Sequence, residues 1–171
     1  NFEKVMAFRD EHDWPAGVPA RPFEDALVLW GSVAEGALLL EPAIRLPLPA
    51  ALPAREGPYL LEGLSASGAT VFSLRFAPAQ TDHDDDRHFV FSLPIDTSTA
   101  DRLDRITLSG PEGRVEVGRA ATGQALTVVT DVASGLIRSI SREGNTRLSS
   151  SSDLTVRVSD GVRTRTLPVR R

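Results

Sequence analysis

Tyr59-Leu60-Leu61-Glu62-Gly63-Leu64, Ser65-Ala66-Ser67-Gly68 and Thr70-Val71-Phe72-Ser73-Leu74-Arg75-Phe76 follow one another almost without interruption. The first and third pieces are rich in branched and aromatic residues, and the middle one is built from turn formers. In the third piece Phe72, Leu74 and Phe76 share one face, while Val71, Ser73 and Arg75 share the other. A period of two is the signature of an extended strand, because successive side chains point to opposite sides of the backbone. One apolar face and one polar face suit a sheet that covers a core on one side and meets water on the other. The stretch is therefore a β-hairpin.

The same grammar continues downstream. Phe89-Val90-Phe91-Ser92-Leu93 again places Phe89, Phe91 and Leu93 on one side. Ile106–Leu108, Val115–Val117, Leu126–Val129, Leu136–Ile140, Leu154–Val158 and Arg163–Val169 follow as further short strands. Glycine, proline and aspartate punctuate them, and Asp160-Gly161 is the strongest two-residue hairpin signal of the chain. Upstream, Ala26–Val33 is a strand carrying Trp30 and Gly31, a glycine that marks a bulge or a close approach. Glu35-Gly36 turns it into Ala37–Leu46. Pro42 inside that segment removes a ladder donor, so the strand must be split, bulged or at a sheet edge. Pro47 to Pro58 carries four prolines and forms a fixed, extended crossing.

Ten or eleven strands and at most one short helix define an all-β chain. The expected architecture is a two-layer β-sandwich with Greek-key or immunoglobulin-like wiring. The one helical candidate is Phe2–Arg9, which ends before the proline- and glycine-broken stretch His12–Pro19. Residues 1–22 are therefore expected to be a lead-in or linker, and residues 23–171 the β-sandwich. A subdivision near 119–124 is an alternative partition of that body.

The 171 residues are 41% apolar and 25% charged, the balance of a globular protein and not of a disordered one. No apolar run approaches the roughly 20 residues needed to cross a bilayer, so membrane insertion is not expected. The sequence opens at Asn1, as a fragment or processed chain would. Cysteine is absent, which excludes disulfides, thiolate nucleophiles and cysteine-ligated zinc. Eighteen of the nineteen basic residues are Arg, a bias of the kind a GC-rich genome produces. Residues 133–171 carry eight Arg against Glu143, Asp153 and Asp160, whereas the first 132 residues are net acidic. That basic end holds no aromatic residue on which bases could stack, so nucleic acid is not an expected partner.

Chemistry-bearing groups are sparse. Thr81–His88 concentrates carboxylates, and Asp82, Asp84 and Asp86 alternate in the way calcium ligands do. The glycine and distal glutamate of an EF-hand loop are missing, and a solvated inter-strand loop explains the same residues. His83 and His88 lack a third ligand, His12 stands alone in sequence, and no His-Glu-x-x-His motif occurs. There is no Gly-x-Ser-x-Gly elbow, and neither glycine-rich phosphate cradle is present. Any two of the 23 acids could meet as a glycosidase-type pair, a signal without specificity.

A resemblance enters with the order of Trp30-Gly31-Ser32-Val33, Leu38-Leu39-Leu40-Glu41-Pro42 and Gly57-Pro58-Tyr59-Leu60-Leu61. The Gly68 turn, Phe72–Phe76 and Phe89–Pro94 continue that order. The pattern resembles the non-catalytic C-terminal β-rich region of some secreted bacterial zinc metallopeptidases, and the Asp160-Gly161 hairpin is similar to the closing strands of immunoglobulin-like domains. The resemblance covers about half the chain and carries over no catalytic residue, because the zinc motif has no counterpart here. It implies a secreted accessory domain whose partner is a catalytic peptidase module in the same parent chain. Substrate protein or a cell-surface glycan is the further ligand class it implies. A free-standing carbohydrate- or calcium-binding adhesion module is the rival expectation, with Trp14, Trp30 and Tyr59 the aromatic candidates. A carboxylate-pair hydrolase is the third.

Overall fold

The computed structural model describes residues 25–80, 87–120, 125–142 and 153–167. Thirteen strands and one short helix are found among them. The strands are β1 (Asp25–Ala34), β2 (Ala37–Leu40), β3 (Ile44–Pro47), β4 (Tyr59–Ser65), β5 (Thr70–Phe76), β6 (Ala79–Gln80) and β7 (Arg87–Pro94). After helix α1 (Thr97–Asp101) come β8 (Leu103–Gly110), β9 (Gly113–Gly118), β10 (Leu126–Asp131), β11 (Ile137–Ser141), β12 (Leu154–Ser159) and β13 (Thr164–Leu167). All pairings are antiparallel. The central sheet has the order β2-β1-β7-β6, with β3 also on β1; the second is β5-β4-β8-β9; the third is β11-β10-β12-β13.

The all-β sandwich expected from the sequence is present, and a third sheet is added to it. Strand β1 explains how. Its odd-numbered residues Leu27, Leu29 and Val33 lie in one core with Tyr59, Leu61, Phe76, Phe89, Ile106 and Leu108 of the central and second sheets. On its other face Val28 meets Ile44, Leu46, Leu126 and Val128, with Trp30, Ile137 and Ile140 packed alongside. Both faces of one strand are thus removed from water, and the central sheet becomes the middle layer of three. Phe76 anchors the first core, with its ring centroid 4.8 Å from that of Phe89, 5.0 Å from Phe91 and 5.6 Å from Tyr59.

Proline placement acts as the sequence predicts. The segment 37–47 is one edge strand broken at Glu41-Pro42-Ala43: β2 pairs with Gly31–Ala34 of β1, and β3 pairs with Asp25–Val28. The Glu35-Gly36 turn has both residues at positive φ, the mirror-image geometry that suits a tight hairpin. Gly31 is a close approach, since a Cβ there would lie 2.1 Å from the Leu39 carbonyl oxygen and 2.8 Å from the Phe89 ring. The proline-rich crossing leads from β3 to β4, and on its way Ala51 forms a bridge with Ser92 on the free edge of β7.

The helix expected at Phe2–Arg9, like the whole lead-in 1–22, lies outside the described residues. The observed α1 is a single turn between β7 and β8. Its cap is Asp96, whose side chain accepts the Thr99 backbone N–H at 2.9 Å and the hydroxyls of Ser98 and Thr99. Those contacts hold its carboxyl well below the usual aspartate range.

The third sheet is fastened to the other two through the β12–β13 turn. Ser159 Oγ donates to the Ala43 carbonyl, Ala43 N–H donates to Gly161 O at 2.8 Å, and Arg163 Nε donates to Leu103 O at 2.7 Å. Val162, fully buried, inserts into the core between the central and second sheets. Gly161 sits at φ +119°, and a Cβ there would lie 2.3 Å from the Gly118 carbonyl oxygen. A residue of the third sheet's turn therefore completes the first core. Val162→Ala should cost about 2 kcal/mol of unfolding free energy, the scale of deleting buried methyl groups, and Gly161→Ala should cost more. Urea unfolding of the two variants checks this, and losses under 0.5 kcal/mol would show that the plug is idle.

Candidate functional site

Among the described residues the polar side chains of interest gather at strand ends, where they join one element to another. The most enclosed group is Tyr59, Glu112 and Arg87. Tyr59, 1% exposed, opens β4; Glu112 sits in the β8–β9 turn; Arg87 opens β7. Tyr59 Oη donates to Glu112 Oε1 at 2.7 Å, and Arg87 Nη2 donates to the same oxygen at 3.0 Å. The Arg87 guanidinium also lies over the Tyr59 ring, 5.6 Å from its centroid. Two strands of different sheets, β4 and β7, are held to the β8–β9 turn through one carboxylate oxygen. Its partner, Glu112 Oε2, is buried and accepts no hydrogen bond from the described residues.

The electrostatics decide what this group can do. Burial, reinforced by the bond to Glu112, pushes the Tyr59 phenol up, while the Tyr59 hydroxyl and the Arg87 charge hold the Glu112 carboxyl down. Their proton affinities are driven apart, so near neutral pH the phenol stays protonated and the carboxylate stays ionised. An acid–base pair needs a group titrating near the working pH. This pair is arranged as a clamp.

A second group lies where the central and third sheets meet. Arg142 Nη2 donates to Glu41 Oε1 at 2.5 Å, and its guanidinium lies 5.9 Å from the Trp30 ring centroid. Trp30 Nε1 donates to the Pro42 carbonyl at 3.0 Å, and the Glu41 N–H donates to Trp30 O. These bonds engage the backbone groups freed where Pro42 breaks the edge strand. Glu41 is 8% exposed, but the Arg142 side chain is 62% exposed, so salt screens this pair.

Two further aspartates organise turns. Asp160 Oδ1 accepts the N–H groups of Val162 and Arg163, and Oδ2 accepts Arg119 Nε at 2.8 Å. Burial raises the Asp160 pKa, but these donors outweigh it and the net shift is downward. Asp131 caps the β10–β11 turn through Ala133, Ser134 and Arg138, and Arg138 first, then Ser134, hold its carboxyl well below the usual range.

The sequence candidates fall differently. Asp82, Asp84 and Asp86, the expected calcium ligands, lie outside the described residues, as do His12, His83 and Trp14. His88 is in β7, opposite Ser32 on one side and Ala79 on the other. Among the described residues no group of three or more His, Asp or Glu side chains is placed to hold a metal. Tyr59 and Trp30 sit in core strands, as their sequence context indicates. The clamps at Glu112 and Glu41 had no local signal, since their partners are separated by 25 to 101 positions. Only the Gly110-Pro111-Glu112-Gly113 turn composition hinted that Glu112 occupies a special position.

Compared with protein families, curated proteins and solved structures, the chain matches none.

Glu112 offers a pH test. Folding lowers its pKa, so its stabilising contribution is complete above the ordinary glutamate range and is lost as pH falls through the lowered folded value. Glu112→Gln should melt at a lower temperature than the parent at pH 7, with the gap closing toward pH 3. Thermal melts across that range check it; a gap independent of pH would show that the charge is not what stabilises the clamp.

Proposed function

We propose that this chain is a non-catalytic, supporting β-sandwich module of a larger secreted bacterial protein, with a zinc metallopeptidase as the parent that the sequence resemblance implies. The observation that supports this most is the use made of the enclosed carboxylates. Glu41, Glu112 and Asp160 each tie one element to another through arginine. Ionisable groups spent on fastening strands fit a part whose task is to hold shape. Loops at the ends of the layers would then make the contacts with substrate, cell surface or a catalytic module. Among the described residues no helix is long and apolar enough to cross a membrane.

The purified chain, supplied with zinc, should leave a casein-type substrate intact. Joined to a catalytic module of its parent, it should raise that module's thermal stability or its affinity for large substrates. Chelator-sensitive casein cleavage by the isolated chain would overturn the reading.

A further inference from the structure

Between β3 and β4 the chain crosses from the central sheet to the second sheet through residues 48–58 without a strand or helix of its own. Ala50, Ala51, Leu52, Ala54, Arg55 and Glu56 are all exposed along it. An endopeptidase needs an accessible run of backbone with free N–H and C=O groups, and loops that lack burial and hydrogen bonding are where chains are nicked. Most of this crossing is closed to such attack. Pro49, Pro53 and Pro58 carry no N–H, and Ala51 exchanges hydrogen bonds with Ser92 at 3.0 and 2.9 Å. The window left open is Ala54-Arg55-Glu56-Gly57. Its one backbone hydrogen bond to the described residues runs from Ala77 N–H to Arg55 O at 3.3 Å, a long and weak contact. The Arg55 side chain has no hydrogen-bonding or ionic partner among the described residues. The other described arginines up to residue 120 lie in strands, with two exceptions. Arg102 caps α1 beside fully buried Leu103, and Arg119 is tied to Asp160 at 2.8 Å.

We propose that the Arg55–Glu56 bond is a cleavage site for an arginine-directed endopeptidase, and that cutting it gives a non-covalent two-chain form with the fold retained. Water adds across the peptide bond, leaving a carboxylate on Arg55 and an ammonium on Glu56. The cut falls between two fixed points. Upstream, Ala51 is bridged to Ser92; downstream, Gly57 lies so close to β5 that a Cβ there would be 2.5 Å from the Phe76 carbonyl oxygen. The upstream piece keeps β1, β2 and β3. Strand β1 pairs with β7 along residues 26–33 and gives side chains to both large cores. Ala43 N–H donates to Gly161 O, and Arg45 N–H donates to Thr164 Oγ1 at 2.8 Å. These contacts hold the two pieces together without the covalent link.

Trypsin, added in small amount to the full 171-residue chain, is the probe. Among the bonds of residues 25–120, Arg55–Glu56 should be cut first, about tenfold or more ahead of the next, because a bond inside a ladder must wait for local opening. Mass spectrometry reads the order, and the new amino terminus should begin Glu56-Gly57-Pro58. The pieces should co-elute from a native sizing column and part only in denaturant. Arg55→Gln should abolish this cut with the melting temperature unchanged, and Arg102→Gln should leave its rate as in the parent. A first cut at any other bond of residues 25–120 would overturn the proposal. So would pieces that separate on the native column, since the fold would then depend on the bond being whole.

Discussion

The double burial of β1 is the constraint on which the rest of the molecule depends. A strand at the surface of a sandwich can afford one wet face; β1 has none. Leu27, Leu29 and Val33 on one side and Val28 and Trp30 on the other require a sheet above and a sheet below. Each fully buried aliphatic side chain contributes about 1.5–3 kcal/mol relative to exposure, so removal of either outer sheet would strand several such contributions at once. Gly31 follows from the same crowding, because the Leu39 carbonyl and the Phe89 ring occupy the space a side chain would need. The Ser159–Val162 turn then closes the arrangement, carrying a residue of the outer sheet through to the far core.

Much of this fold was legible in the sequence because it rests on local rules. Phe72, Leu74 and Phe76, and Phe89, Phe91 and Leu93, declare their core faces by alternation. Pro42 declares a broken edge strand, and Glu35-Gly36 a tight turn. The third layer was harder to see. Alternation in Leu126–Val129 and Leu154–Val158 shows that strands exist but not which sheet they join. The near-continuous apolar run Ala26–Trp30 was the available clue, since a strand buried on both faces loses its polar alternation. Helix α1 was missed because it is a single turn, and its signal was confined to the capping aspartate before Thr97-Ser98-Thr99.

The polar clusters were less legible for a related reason. Tyr59 and Glu112 are 53 positions apart, and Glu41 and Arg142 are 101 apart. No spacing rule reaches that far; only the folded register brings such residues together. Once assembled, these groups behave as fasteners. Glu112 gathers a phenol and a guanidinium from two sheets, and Glu41 with Arg142 secures the seam where the broken edge strand meets the third sheet.

Native-state hydrogen exchange under increasing denaturant tests the three-layer account most directly. If β1 unites both cores, protected amides of β1, β4, β8, β10 and β12 should converge on one unfolding isotherm, with the same free energy and the same denaturant dependence. A separate isotherm of lower free energy for β10 and β12 would contradict it, because the third sheet would then open while the sandwich beneath it stayed closed.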